Sequence, residues 1–416
     1  MHFLRGIVLV LEVEISRRKF EHTELGVLFF LNAAAIGMWN VPLANVLRAN
    51  GYEEIVPYAY ACSGISAFIS PMIIGALADQ RISPTRLVRW LAVTTGGFLA
   101  LSFYGIGAKW SAGWVLGALQ LQSLCVAPVF GLTTAIVMGR LKDPAREFGP
   151  IRAWATLGWM AAGVFVSWVL QADTTVASGY AAAATWVLSA CSTFLLPEVP
   201  LVEVKARRTW SDIFGLEALS LFATREHRVV FLTAGLFAIP MAAFYPYTPM
   251  QLKDLGVTHA ASAMSLGQVS ELVAMFAMGR ILARVPLKRI FLAGIGFGIL
   301  RYSLCGVNDK NWLLVGVGLH GFAFAFYFIT AQIYLEERVP PRLRARAQAL
   351  LSVMVGGFGS LFGYLGNGWW KKVNTFGGET NWSCFWFGLA VLMVGVLVFF
   401  AMNYRNEIPS RAVAND

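Results

Sequence analysis

Glu271 is the one acidic residue that the sequence places deep inside a long apolar stretch. It occurs in SLGQVSELVAM, residues 265–275, whereas the rest of the 23 acidic residues lie in termini, in loops or within a turn of a helix end. Gln268 precedes it by three residues, so both side chains share one face of a helix. Burial disfavours the charged form of a carboxyl group. This glutamate could therefore take up and release a proton, or it could be paired permanently with an arginine.

Two arginines in other apolar stretches are candidate partners for this carboxyl group. Arg152, in GPIRAWATLGW, precedes Thr156 by one helical turn and Trp159 by two. A guanidinium, a hydroxyl and an indole on one stripe can bind a flat polar solute by hydrogen bonding and stacking. The alternative for Arg152 is an interfacial position near lipid phosphates. Arg301, in ILRYSL, lies about two thirds of the way along its own stretch.

Aromatic and histidine side chains supply further candidates for a binding site. His320 and Phe324 are one turn apart near the middle of one apolar stretch. A histidine there is either a hydrogen-bonded packing residue or a proton carrier. The segment FYPYTP, residues 244–249, has two prolines that interrupt backbone hydrogen bonding, and we interpret it as the end of a helix. Tyr245 and Tyr247 in this segment are candidates for solute contact or gating.

The elements that must position these residues are membrane-spanning helices. The chain has 416 residues, of which 57% are hydrophobic and 13% are charged, about half the charged share of a soluble domain. A helix needs about 20 mostly apolar residues to cross a membrane, and the long continuous runs exclude the short alternating strands of a membrane barrel. The sequence predicts an all-α membrane protein with twelve spans, at 24–47, 56–78, 87–107, 112–139, 149–172, 177–196, 228–249, 260–283, 288–307, 311–335, 345–369 and 383–403.

The distribution of Lys and Arg predicts the orientation of these helices. Most of the basic residues fall in loops after the even-numbered spans and few in the other loops, and positively charged loops stay cytoplasmic. Both termini are therefore expected in the cytoplasm, with the chain in the inner membrane. The net charge of +10 is explained by this topology, since no nucleic-acid recognition motif accompanies it. The five cysteines are scattered singly, which indicates neither a metal site nor a redox site.

The chain divides into two halves that resemble one another. AIGM at 35–38 recurs as AIPM at 238–241, and ISPTRL at 82–87 recurs as VPLKRI at 285–290, with an offset of about 203 residues. Two six-helix bundles related by pseudo-symmetry are the architecture of the major facilitator transporters. The predicted organisation is a cytoplasmic lead-in at 1–23, an N-terminal bundle at 24–196, a linker with an amphipathic helix at 197–227, a C-terminal bundle at 228–403 and a cytoplasmic tail at 404–416.

The loop after the second span also resembles a signature of that superfamily. GALADQRISPTR, residues 75–86, is similar to the G-x-L-A-D-R motif. Asp79, Arg81 and Arg86 could form an ion-pair latch on the inner face that breaks when the bundles rock. The alternative is a set of ordinary solvated loop charges.

Several segments together resemble the bacterial nucleoside:proton symporters of the major facilitator superfamily. They are GPIRAWATLGW, GQVSE, ILRYSL, LHGFAFAFYFITAQIYLEERVPPRLRARAQ and TWSDIFGLEALSLF, in the same order as in that family. The resemblance implies transport by alternating access, with no cofactor and no metal. It implies contacts to the nucleoside from Arg152, Thr156, Trp159, Gln268, Glu271 and Phe324, with His320 at a position that is polar or aromatic in the family.

The chain departs from the family pattern at two places. The family usually has an aspartate tied to proton coupling directly after the helix 10 aromatic, where this chain has Ala325. The polar residues that the family uses on helix 7 are replaced by Ala242 and Tyr245. Glu271 would then carry the proton coupling alone, or coupling is lost.

The predicted function is a nucleoside:proton symporter that acts as a monomer in the lipid bilayer and binds no nucleic acid. The alternative is a permease of the same fold for another small solute, an oligosaccharide or an aromatic acid, with proton coupling left open. An enzyme is not expected, because the five histidines are far apart and neither an HExxH nor a GxSxG motif is present.

Overall fold

The chain folds into long helices that follow the predicted apolar stretches. The computed structural model describes residues 22–78, 82–141, 143–196 and 216–405. The helices are α1 His22–Ala49, α2 Val56–Ala78, α3 Pro84–Gly107, α4 Ala112–Met138, α5 Pro144–Val164 with a π-helical continuation Phe165–Val169, α6 Ala177–Ser192, α7 Arg225–Asp254, α8 Ala260–Leu282, α9 Leu287–Gly306, α10 Lys310–Arg338, α11 Pro341–Val373 and α12 Trp382–Asn403.

Within the described ranges, nine of these helices are long and apolar enough to cross a membrane by length and composition alone. The others are α2, α5 and α6, which lie where the second, fifth and sixth spans are predicted. Helix α6 has 16 residues, and α5 begins with the polar sequence PAREFGPIR. The predicted all-α class agrees with the structure, whereas the count of twelve crossings stays a prediction.

The helices pack in a pattern that repeats between the two halves of the chain. Helix α3 packs against α4 and α6, and in the second half α9 packs against α10 and α12. Between the halves, α2 packs on α11, α5 on α8, and α1 on α7. Since a shift by six helices converts α2 into α8 and α5 into α11, the first two of these contacts are equivalent. The contact pattern therefore carries the same repeat as the sequence.

Helix α7 corrects one expectation from the sequence. The segment FYPYTP does not end this helix, because a second helical part runs from Phe244 to Asp254 after a break at residues 242–243. Pro240 lies in the last turn of the first part, and Pro246 lies in the first turn of the second part. Pro246 therefore removes no helical hydrogen bond, whereas Pro249, the second proline of FYPYTP, lies inside the helix. The helix thus continues past both prolines of this segment, to Asp254.

Several predicted features fall outside the described residues. They include Asp79 and Arg81 of the predicted latch, nearly all of the lead-in and tail, and the first part of the linker helix. Residues Leu216–Ala223 of the linker form a 3₁₀ helix. Arg86 lies in the first turn of α3, and its backbone N–H donates to the Ser83 hydroxyl at 3.4 Å. The domain boundaries and the latch stay predictions.

One end of the molecule is held shut by contacts between the two halves. We call it the closed end; its loops are residues 50–55, 108–111, 170–176, 255–259, 307–309 and 374–381. Arg48 on α1 pairs with Asp254 on α7 at 2.8 Å, and Lys371 on α11 pairs with Glu53 at 2.7 Å. The Asn45 amide donates to the Pro249 carbonyl at 2.9 Å. The sequence predicts that this end faces away from the cytoplasm.

Candidate functional site

A cavity of about 170 Å³ lies between the two halves and collects most of the predicted site residues. Its polar and aromatic lining comes from α5 on one side and from α7 and α8 on the other. The lining residues are Ala33, Ile36, Phe130, Arg152, Ala155, Thr156, Trp159, Tyr245, Gln268 and Glu271. The spacing of Arg152, Thr156 and Trp159 along one helical stripe explains why all three reach the same space.

Arg152 and Glu271 bring opposite charges to this cavity from opposite halves. The Arg152 guanidinium lies 4.7 Å from the ring centroid of Phe130 and 5.7 Å from that of Phe29. It interacts electrostatically with Glu271, yet the described residues include no ion pair within 4.0 Å between the two. The open alternative of a permanent direct pair does not match this geometry. A solute can therefore bind between the two charged groups, and a proton can bind to the Glu271 carboxyl group.

Gln268 and two aromatic rings form the other polar part of the cavity. The Gln268 amide nitrogen donates to the Tyr245 hydroxyl at 3.3 Å. Its carbonyl oxygen is buried and has no hydrogen-bond partner among the described residues. The Trp159 and Tyr245 rings are 5.5 Å apart, tilted by 57°. A buried acceptor without a partner costs free energy, which a donor group on a bound solute would recover.

Glycine fixes the position of Glu271 through the crossing of α8 and α10. A Cβ atom on Gly321 would lie 2.0 Å from the Glu271 backbone nitrogen and 2.4 Å from its Cα. The Gly321 N–H donates to the Ser270 hydroxyl at 3.0 Å. Only a glycine allows this approach, so α10 acts as the support that sets the depth of the carboxyl group.

Arg301 and His320 lie together behind the cavity and do not line it. Arg301 is fully buried, with its guanidinium 4.7 Å from the Phe244 ring and 4.3 Å from the Tyr302 ring. Its Nη1 donates to Nδ1 of His320, while Nε and Nη2 have no partner among the described residues. Because an arginine can only donate, Nδ1 of His320 is the acceptor and the imidazole is neutral. The histidine in turn stacks on Phe244 at 3.9 Å.

The structure thus separates the predicted site residues into groups. Phe324 contacts His320 and Phe328 at ring distances of 6.3 and 5.3 Å. It therefore belongs with Arg301 and His320 to a second layer of residues behind the cavity. Tyr247 lies farther along α7 and lines a separate cleft at the closed end. Sequence reasoning missed the apolar lining residues, listed here as Ala33, Ile36, Phe130 and Ala155. An apolar residue that faces a cavity has no sequence signal that distinguishes it from one that faces lipid.

The described part of the chain has no group of three or more His, Cys, Asp or Glu side chains that could hold a metal ion. The arrangement is a solute-sized space between two halves, with one titratable carboxyl group, one guanidinium and an aromatic pair. This geometry suits reversible binding of a polar solute with access from alternating sides.

Comparison with known proteins decides the family. A model for the nucleoside H⁺ symporter family matches residues 21–408. The chain belongs to the nucleoside H⁺ symporter family. It is therefore a multi-pass membrane transporter and not an enzyme.

Relatives and solved structures agree with this family assignment. The chain is 30% identical over 412 residues to the protein YegT of Escherichia coli (strain K12), covering 92% of this chain and 95% of YegT. It is 26% identical over 405 residues to the nucleoside permease NupG of the same organism, covering 91% and 94%. The crystal structure of the nucleoside transporter NupG superposes with a TM-score of 0.82 at 24% identity, covering 93% of this chain and 99% of that chain. The symporter therefore has the major facilitator fold.

Proposed function

We propose that this symporter carries nucleosides together with protons across the inner membrane, with both termini in the cytoplasm. The observation that supports this proposal most strongly is the cavity between the two halves. One half contributes Arg152, Thr156 and Trp159 to it, and the other contributes Gln268 and Glu271. Relatives named as a nucleoside permease and a xanthosine permease support a nucleoside over an oligosaccharide or an aromatic acid. One chain supplies the whole cavity, which supports a monomer as the transporting unit.

The chemistry of the lining fits the two parts of a nucleoside. The base is a flat aromatic ring that can stack on Trp159 or Tyr245, and aromatic stacking contributes about 0.5–1.5 kcal/mol. The base edge and the ribose hydroxyls supply donors for the unpaired Gln268 oxygen and acceptors for Arg152. The cavity of about 170 Å³ is smaller than the roughly 300–1,000 Å³ of typical small-molecule sites. Nucleoside binding therefore requires the cavity to widen.

Glu271 is the proposed proton site of the cycle. The family aspartate after the helix 10 aromatic is replaced by Ala325, which is buried among apolar side chains of α8 and α10. Glu271 is the carboxyl group that lines the cavity. Its proton can be exchanged with whichever side the cavity faces, since the charge is balanced by Arg152 without a direct ion pair.

The proposal is tested by uptake into proteoliposomes that contain the purified full chain. Labelled uridine and adenosine are offered with an inward proton gradient, with the gradient collapsed by an ionophore, and without protein. We expect accumulation above equilibrium only with the gradient. Absence of uptake for every nucleoside would refute the substrate, and equal uptake without the gradient would refute proton coupling.

A further inference from the structure

Asp173 is a loop residue whose contacts cross from one half of the molecule to the other. It lies in the loop 170–176 after α5, at the closed end, and is only 5% exposed. Its Oδ1 accepts a hydrogen bond from the backbone N–H of Ala261, at the beginning of α8, at 2.7 Å. The Ser167 hydroxyl donates to the same oxygen at 3.1 Å. A carboxyl group from one half therefore binds the first turn of a helix in the other half.

Ser167 and Trp168 extend this contact around the first turn of α8. The Ser167 hydroxyl accepts from the Ser262 N–H at 2.9 Å, and the Ser167 carbonyl contacts Nδ1 of His259 at 3.1 Å. The Trp168 ring stacks on the His259 ring at 3.9 Å, and its indole N–H donates to the Ser262 hydroxyl at 3.2 Å. The contact thus includes hydrogen bonds and an aromatic stack.

These bonds replace the cap that α8 would otherwise obtain locally. The first N–H groups of a helix have no partner within the helix, and the residue just before it usually supplies one. His259 stands at that position, and its side chain makes no such bond. The N–H groups of Ala261 and Ser262 are capped instead by Asp173 and Ser167 from the other half. If the halves separate at this end, α8 loses both caps at once.

The two helices joined by this contact are the helices that form the cavity. Helix α5 carries Arg152 and Thr156, and α8 carries Gln268 and Glu271. The packing between them is close, because a Cβ atom on Gly163 would lie 2.6 Å from the Ala261 carbonyl oxygen. Asp173 therefore binds the same helix that carries Gln268 and Glu271 of the solute site.

The charge of Asp173 gives the contact a dependence on pH. Burial raises the pKa of Asp173, while the bonds from Ala261 and Ser167 and the nearby His259 and Lys253 oppose part of this rise. When the end opens, water reaches the carboxyl group and its pKa falls toward the ordinary value. The closed conformation then binds the proton more tightly than the open one, so a lower pH on this side favours closure.

We propose that Asp173 is a positioning residue that caps α8 from the opposite half, holds the closed end shut and makes closure more favourable as the medium on that side acidifies. This inference rests on the alternating-access cycle of the proposed function. It assigns the closed end a proton-dependent step that is separate from the proton on Glu271.

The test measures the conformation of the closed end without any solute. Spin labels are attached to Ala108→Cys and Lys310→Cys, both exposed at this end in opposite halves, after replacement of the five native cysteines. Distance distributions are recorded for the full chain in nanodiscs at about pH 4, near the ordinary pKa of an aspartate, and at about pH 8. The wild-type background should show a larger closed fraction at the lower pH.

Two variants distinguish the hydrogen-bonding role of Asp173 from its ability to bind a proton. Asp173→Asn keeps an acceptor oxygen and cannot titrate, so the closed fraction should be high at both pH values. Asp173→Ala removes the acceptor, and its closed-to-open ratio should fall about 2- to 30-fold at both pH values, the range expected for loss of a helix cap. Equal behaviour of the two variants would overturn the capping role. A pH dependence that persists in Asp173→Asn would assign the titration to another group such as His259 and overturn the proton step.

A matched control comes from another aspartate at the same end. Asp309 caps its own helix, α10, by accepting from the N–H groups of Asn311 and Trp312. Asp309→Asn should leave the closed fraction unchanged, because this cap does not cross between the halves. The readout needs no nucleoside, so failure of the uptake experiment and failure of this one are distinguishable.

Discussion

Glu271 faces a single arginine across a cavity, and this sparse arrangement determines what the residue can do. A charge in a dry interior needs a partner, and Arg152 provides one from the opposite half without direct contact. The carboxyl group is therefore stabilised in the assembled cavity while it stays accessible to a proton. A glutamate inside a dense ion-pair network would be fixed in one state.

Glu271→Gln should abolish accumulation of nucleoside above equilibrium while exchange of labelled for unlabelled nucleoside continues. The amide keeps the size and hydrogen-bonding capacity of the side chain but cannot carry a proton. The measurement is uptake with a proton gradient beside counterflow without one, in proteoliposomes. Glu379→Gln is the matched control and should behave as wild type, because Glu379 is exposed in the short strand Glu379–Thr380, which pairs with Thr375–Phe376 within the closed-end loop 374–381. Undiminished accumulation by Glu271→Gln would make the residue structural.

The polar residues of the site can be predicted from the sequence more readily than the apolar residues that line the same cavity. A glutamate and a glutamine deep in an apolar helix stand out because their burial is costly, and both line the cavity. His320 and Phe324 also stand out, yet they lie in a second layer, because depth in the membrane does not tell which way a side chain points. Phe130 carries no signal, although it packs against the Arg152 guanidinium.

At the scale of helices, the crossing of α8 and α10 sets the geometry of the site. Gly267 contacts His320, and Gly321 contacts the backbone of Glu271. Small residues let helices in a membrane approach closely. The depth of the carboxyl group is therefore determined by a neighbouring helix as well as by its own sequence.

Gly321→Ala should weaken nucleoside binding and lower the thermal stability. The added methyl group would overlap the Glu271 backbone at 2.0 Å, and overpacking of this kind costs about 1–3 kcal/mol. Gly318→Ala, on the same helix with nothing within 4 Å of its added atom, is the control and should resemble wild type. Nucleoside titration calorimetry and thermal unfolding check both variants. Equal nucleoside affinity and equal thermal stability of the two variants would show that α8 and α10 can move apart without loss of function.

Hydropathy predicts where these helices lie but not where they break. Most predicted spans agree with the observed helices within a few residues, because the thickness of the membrane fixes their length. The predicted seventh span ends at 249, whereas α7 continues to Asp254, because the prolines of FYPYTP look like a helix end in sequence. The π-helical turns of α10 and α11, at Ala325–Ile329 and Val353–Gly359, depend on tertiary packing and leave no pattern.

For the whole molecule, the closed end combines ion pairs, hydrogen bonds and the Asp173 cap. Each surface ion pair contributes about 0–1 kcal/mol, so no single one holds the halves together. Several weak contacts of this kind can be broken and formed again during a transport cycle. Contacts of larger free energy would slow the change of conformation.

Lys371→Met should shift the closed end toward the open conformation by roughly fivefold, since the partly buried pair with Glu53 contributes roughly 1 kcal/mol. The spin-label distances between positions 108 and 310 provide the measurement. Lys372→Met is the matched control. Lys372 and Lys371 both line the cleft at the closed end, but Lys372 has no ion pair among the described residues. An equal shift in both variants would point to the general loss of positive charge.

Arg301 has a consequence for the electrostatic potential of the molecule. Its guanidinium is fully buried and bonded to a neutral imidazole, with no carboxylate beside it among the described residues. Around the cavity, Arg301 and Arg152 together outweigh the negative charge of Glu271, and more so once that carboxyl group holds a proton. Low-dielectric surroundings prolong the reach of such a field. We therefore expect the cavity to bind neutral or anionic solutes more tightly than organic cations of the same size, which competition of each class with labelled uptake would measure.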